Sequence, residues 1–370
     1  MRFQATCKLG FEALVTRQLR DLGIEVVKTE DARVTFEGGF DAMARALLWL
    51  RTAERVLLVC ASFHAETFDE LFERTKATDW KPFLTPQTTI HVTGKSAKSK
   101  LFSVSDCQSI VKKAIVESLK AAYHRGDIPE GGAEIIVEAG LLRDEVTLAL
   151  DCCGAGLSRR GYRTWNVAAP LSETLGAGIV LLSRYFGRDA FVDPMCGSGT
   201  MPIEAAMIAN RIAPGRGRSF AAERWPFLPV EAFASARAEA DDMRTFRPTE
   251  ICGSDIDERC IEVCKKHADN AGVSVTWRVC PLSDLTLSSA RGTLVCNPPY
   301  GERMLDRSGA EALCREMRGV FDRYPGWSKN IFSGMQQFEQ VYGRRADKRR
   351  KLTNGGMVCN LYQYFGGNEA

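Results

Sequence analysis

Four histidines, no paired Cys-x-x-Cys spacing and no apolar run near the ~20 residues of a bilayer span set the first limits on this 370-residue chain. A zinc centre needs Cys or His ligands in close pairs, so no metal is expected. The thirteen cysteines are an odd number and scattered, with Cys152 and Cys153 adjacent and Cys260 and Cys264 four apart. They read as small core residues of a protein in a reducing, cytoplasmic setting. The start, MRFQATCKLGFEALVTRQL, carries charges throughout and has no signal-peptide core. Net charge is only +3, so any case for a polyanionic partner rests on where the basic residues lie. GxGxxG is absent, which argues against a dinucleotide loop.

What is present is ordinary globular composition, 45% hydrophobic and 26% charged, at a length that predicts two or three domains. Residues 1–50 alternate strand and helix as a small β-α-β-β-α unit of ferredoxin-like pattern. Residues 51–163 add a buried strand (RVLLVCA), an aromatic turn at Trp80–Leu84, a helix capped at Ser105-Asp106 and a closing strand pair. From 164 to 370 helix and strand alternate, the pattern of a parallel sheet with crossover helices. Segment 211–248 interrupts that alternation with RIAPGRGR and an alanine-rich helix around 230–246. The tail reads as a hairpin, one strand at Phe338–Tyr342 and one at Met357–Tyr364, around a basic loop GRRADKRRK.

Two stretches carry chemistry. Phe191–Glu204, FVDPMCGSGTMPIE, reads as a buried strand, a glycine turn and a helix start. Glycines there let backbone approach a ligand, and the helix start offers free N–H groups, as at nucleotide sites of open α/β sheets. Asp255 ends the second strand of this sheet, where a carboxylate can accept bonds from a ribose diol. About 100 residues after the glycine turn comes Asn297-Pro298-Pro299-Tyr300. Two prolines after a buried strand remove two N–H donors, which leaves the Asn297 side-chain oxygen and nearby carbonyls as acceptors. Tyr300 offers a platform for a planar ring. An exocyclic amine can donate to those acceptors while its base stacks, an arrangement that suits attack on an electrophilic methyl group.

DPMCGSGT, GSDID and NPPYGER resemble the class I S-adenosylmethionine-dependent methyltransferases that modify exocyclic amines. APLSETLGAGIV and RRADKRRKLTNGG extend the likeness to the THUMP-containing guanine-N2 methyltransferases, which include bacterial large-subunit rRNA enzymes. The resemblance covers essentially the whole chain, with Met195 where the group often has an aromatic residue and Thr353 where tyrosine is expected. It implies a Rossmann-like methyltransferase domain, a mostly parallel seven-stranded sheet with a C-terminal antiparallel hairpin, preceded by an α+β ferredoxin-like and THUMP module. The implied domains are ferredoxin-like 1–50, THUMP 51–163 and methyltransferase 164–370.

By the same resemblance, Asp193, Cys196, Gly197, Gly199 and Thr200 surround the amino-acid part of S-adenosylmethionine, and Glu173 and Thr174 approach its methionine end. Asp255 holds the ribose, Ile256 packs on the adenine and Asp284 meets the adenine amine. Asn297, Pro298, Pro299 and Tyr300 receive the target base. RNA contact is expected from Lys95, Lys98 and Lys100, from Arg159, Arg160 and Arg163, and from Arg344, Arg345, Lys348, Arg349, Arg350 and Lys351, with Arg216 and Arg218 beside them. The expected reaction is methylation of a guanine N2 amine in RNA, 23S rRNA first and tRNA second. The alternatives are adenine-N6 methylation and a non-catalytic RNA-binding assembly protein.

Overall fold

The computed structural model of the chain describes residues 1–164, 171–299 and 307–367, with backbone alone at 307. Two seven-stranded sheets organise it. The first is built by β1 (Arg2–Cys7), α1 (Glu12–Asp21), β2 (Glu25–Glu30), β3 (Arg33–Glu37), α2 (Phe40–Trp49), β4 (Ala53–His64), α3 (Phe68–Ala77), β5 (Thr89–Ala97), α4 (Val104–Tyr123), β6 (Glu134–Leu142) and β7 (Glu145–Asp151). Its order is β2-β3-β1-β4-β7-β6-β5. The twelve-residue β4 pairs with β1 through its first half and with β7 through its second. The two N-terminal modules therefore share one sheet, joined along β4. Helix α3 starts at a capping box, Thr67 with Glu70, which satisfies two orphan N–H groups. Helix α4 starts at Val104 after Ser103, with Ser105 and Asp106 inside its first turn rather than capping it, and no side chain caps it.

The second sheet follows from α5 (Glu173–Leu182), β8 (Ala190–Asp193), α6 (Thr200–Ala209), α7 (Glu231–Asp242), β9 (Ile251–Asp255), α8 (Glu258–Ala271), β10 (Thr276–Val279), β11 (Gly292–Cys296), α9 (Arg307–Phe321), β12 (Trp327–Ser333), α10 (Phe338–Tyr342), β13 (Lys348–Asn354) and β14 (Met357–Tyr364). Its order is β10-β9-β8-β11-β12-β14-β13, with every strand running the same way except β14, which is antiparallel to both β12 and β13. All four residues of β8 are buried, as expected of a central parallel strand. After β8 the chain runs outward through β9 and β10, then returns to β11 on the other side. The reversal of direction between β8 and β11 is the crevice where open α/β sheets take their ligands.

The expected C-terminal hairpin needs correcting. Phe338–Tyr342 is the short helix α10, and the basic stretch assigned to the loop forms strand β13 instead. Phe338 and Tyr342, one turn apart, stack at 5.3 Å, and Phe338 also stacks on Tyr362 of β14 at 4.4 Å. Phe338, Val341 and Tyr342 fall at i, i+3 and i+4, the spacing of one helix face rather than the alternation of a strand, and the stacking uses that face.

Candidate active site

Strand register gathers three side chains at the carboxyl ends of β8, β9 and β11. Asp193 pairs with Gly253 across β8 and β9, so Asp255 lies two residues beyond that pair. Leu294 pairs with Val192, so Asn297 lies three residues beyond on the other side. Asp193 is fully buried. Its Oδ1 accepts from the Met195 N–H at 3.2 Å, while its Oδ2 is buried and meets no protein donor. Burial pushes its carboxyl well above the usual carboxylate range, the Met195 N–H opposes that, and the nearby Asp255 charge adds to it.

The glycine turn is built around Asp255. Gly197 N–H donates to Asp255 Oδ2 at 2.9 Å and Asp257 N–H to Oδ1 at 3.0 Å, while Cys196 N–H ties the turn to Ser254 O. Gly199 caps α6 at φ +77°, and a Cβ there would strike Trp277 and Cys264 at 2.8 and 2.9 Å. Gly197, at φ +53°, is the opposite case: a Cβ would meet nothing within 4 Å. That openness is a cradle in which a ligand can touch bare backbone. Beside it Ile256 is 74% exposed, a large apolar surface with no protein cover. Asp284, exposed at the end of a short 3-10 turn, borders a cavity of about 290 Å³ with Val192, Cys252, Ser254 and Cys280.

Asn297 Oδ1 is buried and has no partner among the described residues. A buried amide oxygen left unmade costs on the order of 1–3 kcal/mol, so it marks a site that a ligand donor completes. Pro298 is buried and Pro299 half-buried beside it. Tyr300 lies outside the described residues.

The junction with the N-terminal modules supplies parts that the sequence reading assigned elsewhere. Arg160 and Arg163 were expected to face RNA and do not. Arg160 is 5% exposed, its donors spent on Glu204, Leu157 O and Arg51 O. Arg163 Nη2 donates to Thr200 Oγ1 at 2.7 Å and to Leu171 O at 2.6 Å, bracing the start of α6. Its Nη1 lies 3.8 Å from Glu173, whose carboxyl burial raises and Arg163 pulls back. Thr174 donates to Glu54 of β4 at 2.7 Å, so its hydroxyl faces the first sheet rather than the glycine turn. Sequence reasoning also missed His267, whose Nδ1 lies 3.1 Å from Ser198 O beneath the turn. Its spacing with Ile261, Cys264 and Ala268 reads as an ordinary buried helix face, and no local signal separates it from core.

Of the other basic residues, Lys95 pairs with Glu138 and Lys100 with Glu66, both remaining on the surface with exposed Lys98. Arg159 is exposed and shares a cavity of about 430 Å³ with Glu54, Arg55 and Lys95. Arg216 pairs with Asp241 on the surface, while Arg218 is partly buried and donates to the carbonyls of Ala155, Gly156 and Arg159. On edge strand β13, Lys348, Arg349 and Lys351 are exposed, Arg350 is half-buried, and Arg344 and Arg345 precede them on the surface. Arg349 lies 3.7 Å from Glu339 and Arg344 3.9 Å from Asp347.

The arrangement fits a ligand with a cationic end, a diol and a flat apolar ring: Asp193 and the Gly197 cradle for the first, Asp255 for the second, Ile256 for the third. Comparison with known proteins agrees. Residues 160–363 match the RMKL-like methyltransferase domain, 2–57 the RlmL ferredoxin-like domain and 65–151 the THUMP domain. A putative RNA methyltransferase of Bacillus subtilis is 43% identical over 98% of this chain and 95% of its own length. The ribosomal RNA large subunit methyltransferase K/L of Marinobacter nauticus is 34% identical over 97% of this chain, which spans only 52% of that relative. Among solved structures, a predicted N6-adenine-specific DNA methylase from Listeria monocytogenes shares 45% identity with a TM-score of 0.93, covering 99% of this chain and 96% of that one. A putative methyltransferase complexed with SAH, SMU.472, shares 40% identity with a TM-score of 0.93 over 100% of this chain and 99% of that one. The cofactor is S-adenosylmethionine. The chain belongs to the RMKL-like methyltransferase family, with an RlmL-type ferredoxin-like domain and a THUMP domain ahead of its catalytic domain.

Proposed function

We propose that this protein methylates the N2 amine of a guanine in RNA, with large-subunit rRNA as its substrate. The observation that carries the reading is Asn297: a buried amide oxygen at the end of β11, unpartnered among the described residues and followed by two prolines that can donate nothing. An exocyclic amine is the group that completes such a site. Asn297 Oδ1 accepts one amine proton and so turns the nitrogen lone pair toward the crevice where Asp193 and Asp255 end their strands. The bound S-adenosylmethionine supplies an electrophilic methyl group there. As the N–C bond forms, the sulfonium S–C bond breaks to leave the thioether, and positive charge on the nitrogen is met by Asn297 and nearby carbonyls until a proton leaves to solvent, so no strong general base is required. Asp255 holds the ribose hydroxyls, Ile256 covers the adenine face and Asp284 meets its amine. Asp193 and the Gly197–Thr200 turn hold the amino-acid end.

RNA as substrate is supported by the THUMP match, by the names of the relatives and by the exposed Lys348, Arg349 and Lys351 on the same domain as the site. The K/L name supports rRNA over tRNA. Thirteen free thiols support a reducing, cytoplasmic workplace. The test is nucleoside mass spectrometry of rRNA and tRNA from cells lacking the protein. Loss of N2-methylguanosine from rRNA is expected; loss from tRNA alone would move the substrate, and loss of N6-methyladenosine would move the target atom. Asn297→Ala should lower methyl transfer by about 10²–10³ while SAH affinity stays within about threefold. Loss of SAH binding instead would reassign the residue.

A further inference from the structure

We propose that segment 211–249 is a splint that fixes the distance from the RNA-reading sheet to the methyl-transfer site and thereby selects the nucleotide that is methylated. The inference rests on the RNA reading above. Its geometry is that of a loop closed at its base and tied at its far side. Asn210, the C-cap of α6, closes the base: its carbonyl accepts from Thr245 N–H and its Oδ1 from Arg247 N–H, both at 2.9 Å. Helix α6 itself begins at the glycine turn, so the splint grows from the far end of the helix that starts at the cofactor loop.

The far side crosses to the first sheet at three places. Gly215 N–H donates to Leu48 O at the end of α2, and α7 packs along α2, where Arg45 Nη2 donates to Glu239 Oε1 at 2.9 Å with Nε 2.9 Å from the other oxygen. Phe227 packs on Phe40 of α2 at 5.9 Å and on Phe83, from the aromatic turn of the THUMP module, at 5.6 Å. Ala221 and Ala222 N–H groups donate to the carbonyls of Cys153 and Cys152, just past β7. The segment thus joins both N-terminal modules to one helix of the catalytic domain. Of the arginines in the RIAPGRGR run, Arg218 adds a tie by donating to the carbonyls of Ala155, Gly156 and Arg159, while Arg216 pairs with Asp241 inside the segment. Close packing transmits such a constraint because interiors do not deform continuously.

Two interventions loosen the splint without touching the site. In Gly215→Val the added Cβ would sit 2.7 Å from Leu47 O and 2.9 Å from Leu48 Cα, so the strap must lift from α2. Arg45→Glu and Glu239→Arg each set like charges together, and the double swap restores the pair. The full-length variants are compared by small-angle scattering, by SAH titration and by fragment mass spectrometry of rRNA from cells lacking the protein after methylation in vitro. Each single variant should widen the scattering envelope, keep SAH affinity within twofold, lower kcat/KM for rRNA about tenfold and spread methyl groups to neighbouring guanines; the double swap should return all of these. A widened molecule that still methylates one position at full rate would overturn the proposal. So would unchanged dimensions in Gly215→Val and both single swaps. Scattering and SAH binding need no substrate, so a wild-type protein inert on rRNA would count against the RNA reading and leave the splint to be decided by its dimensions.

Discussion

Arg159-Arg160-Gly161-Tyr162-Arg163 and Lys348-Arg349-Arg350-Lys351 both read as basic clusters in the sequence and have opposite fates in the fold. At the first, Arg160 and Arg163 turn inward. Arg160 binds Glu204, and neighbouring Arg51, also buried, donates to the carbonyls of Met207 and Ile212 at and just beyond the end of α6. Burial lowers the Arg51 guanidinium to about 10, with Glu204 opposing and Arg160 adding to the shift. The second cluster lies on edge strand β13, where lysine and arginine also keep an unpaired strand edge from pairing with another chain. Charge density does not tell a module junction from a polyanion surface. Tertiary placement does.

The sharpest way to break this comparison is Arg160→Ala. It leaves Glu204 buried with only the Tyr162 hydroxyl, 3.3 Å away, as a donor. Removing one partner of a buried pair costs about 3–5 kcal/mol, so thermal unfolding should begin roughly 10 °C lower. Arg159→Ala, one residue away and exposed, should stay within about 0.5 kcal/mol of wild type. Equal stability of the two variants would mean the junction ion pair is structurally idle.

A smaller effect is expected at the edge strand. The triple variant Lys348→Gln, Arg349→Gln and Lys351→Gln should leave stability nearly unchanged. RNA affinity should fall about 10- to 100-fold near physiological salt. The slope of log K against log salt should shrink by roughly 0.7–0.9 for each phosphate contact removed. A salt series that runs parallel to wild type would take β13 out of the RNA surface. Arg350 is left in place because it is half-buried, its Nε enclosed.

These outcomes follow what could and could not be read from the chain. The parallel sheet was legible because its strands are short, alternate with helices and are punctuated by DPMCGSGT, GSDID and NPPY. The site's strand-end residues were legible for the same reason. Its braces were not. Arg163, His267 and Glu54 reach the glycine turn or α5 from elements distant in sequence, and no local spacing encodes such a meeting. The sharing of β4 between two modules was equally hidden, since a single long strand reads the same whether one sheet or two continue from it. Segment 211–248 read only as an insertion with an Arg/Gly/Pro-rich start and an alanine-rich helix, because its partners outside the segment, the carbonyls at 155, 156 and 159 and Arg45, meet it only once the chain has closed on itself.

Asp193 supplies the third term of the comparison: a buried carboxylate like Glu204, but without an arginine. Its folded pKa is raised by burial, so the native state holds the proton more tightly than the unfolded chain. That contribution to stability is fully present below the unfolded carboxyl pKa, about 4, and is lost as pH rises toward the raised folded value. Asp193→Asn removes the titration. In the absence of cofactor the variant should therefore melt close to wild type at pH 4 and higher than wild type at pH 8. SAH binding should move the other way. The amino-acid end of the cofactor brings an ammonium group that stabilises the ionised carboxylate, so wild-type affinity should rise with pH over the same interval. The variant should bind about tenfold more weakly at pH 8, with a flatter pH profile. Parallel melting curves for the two proteins from pH 4 to 8 would show that Asp193 is already ionised in the empty site. Its unpartnered oxygen would then owe its stability to something other than a retained proton.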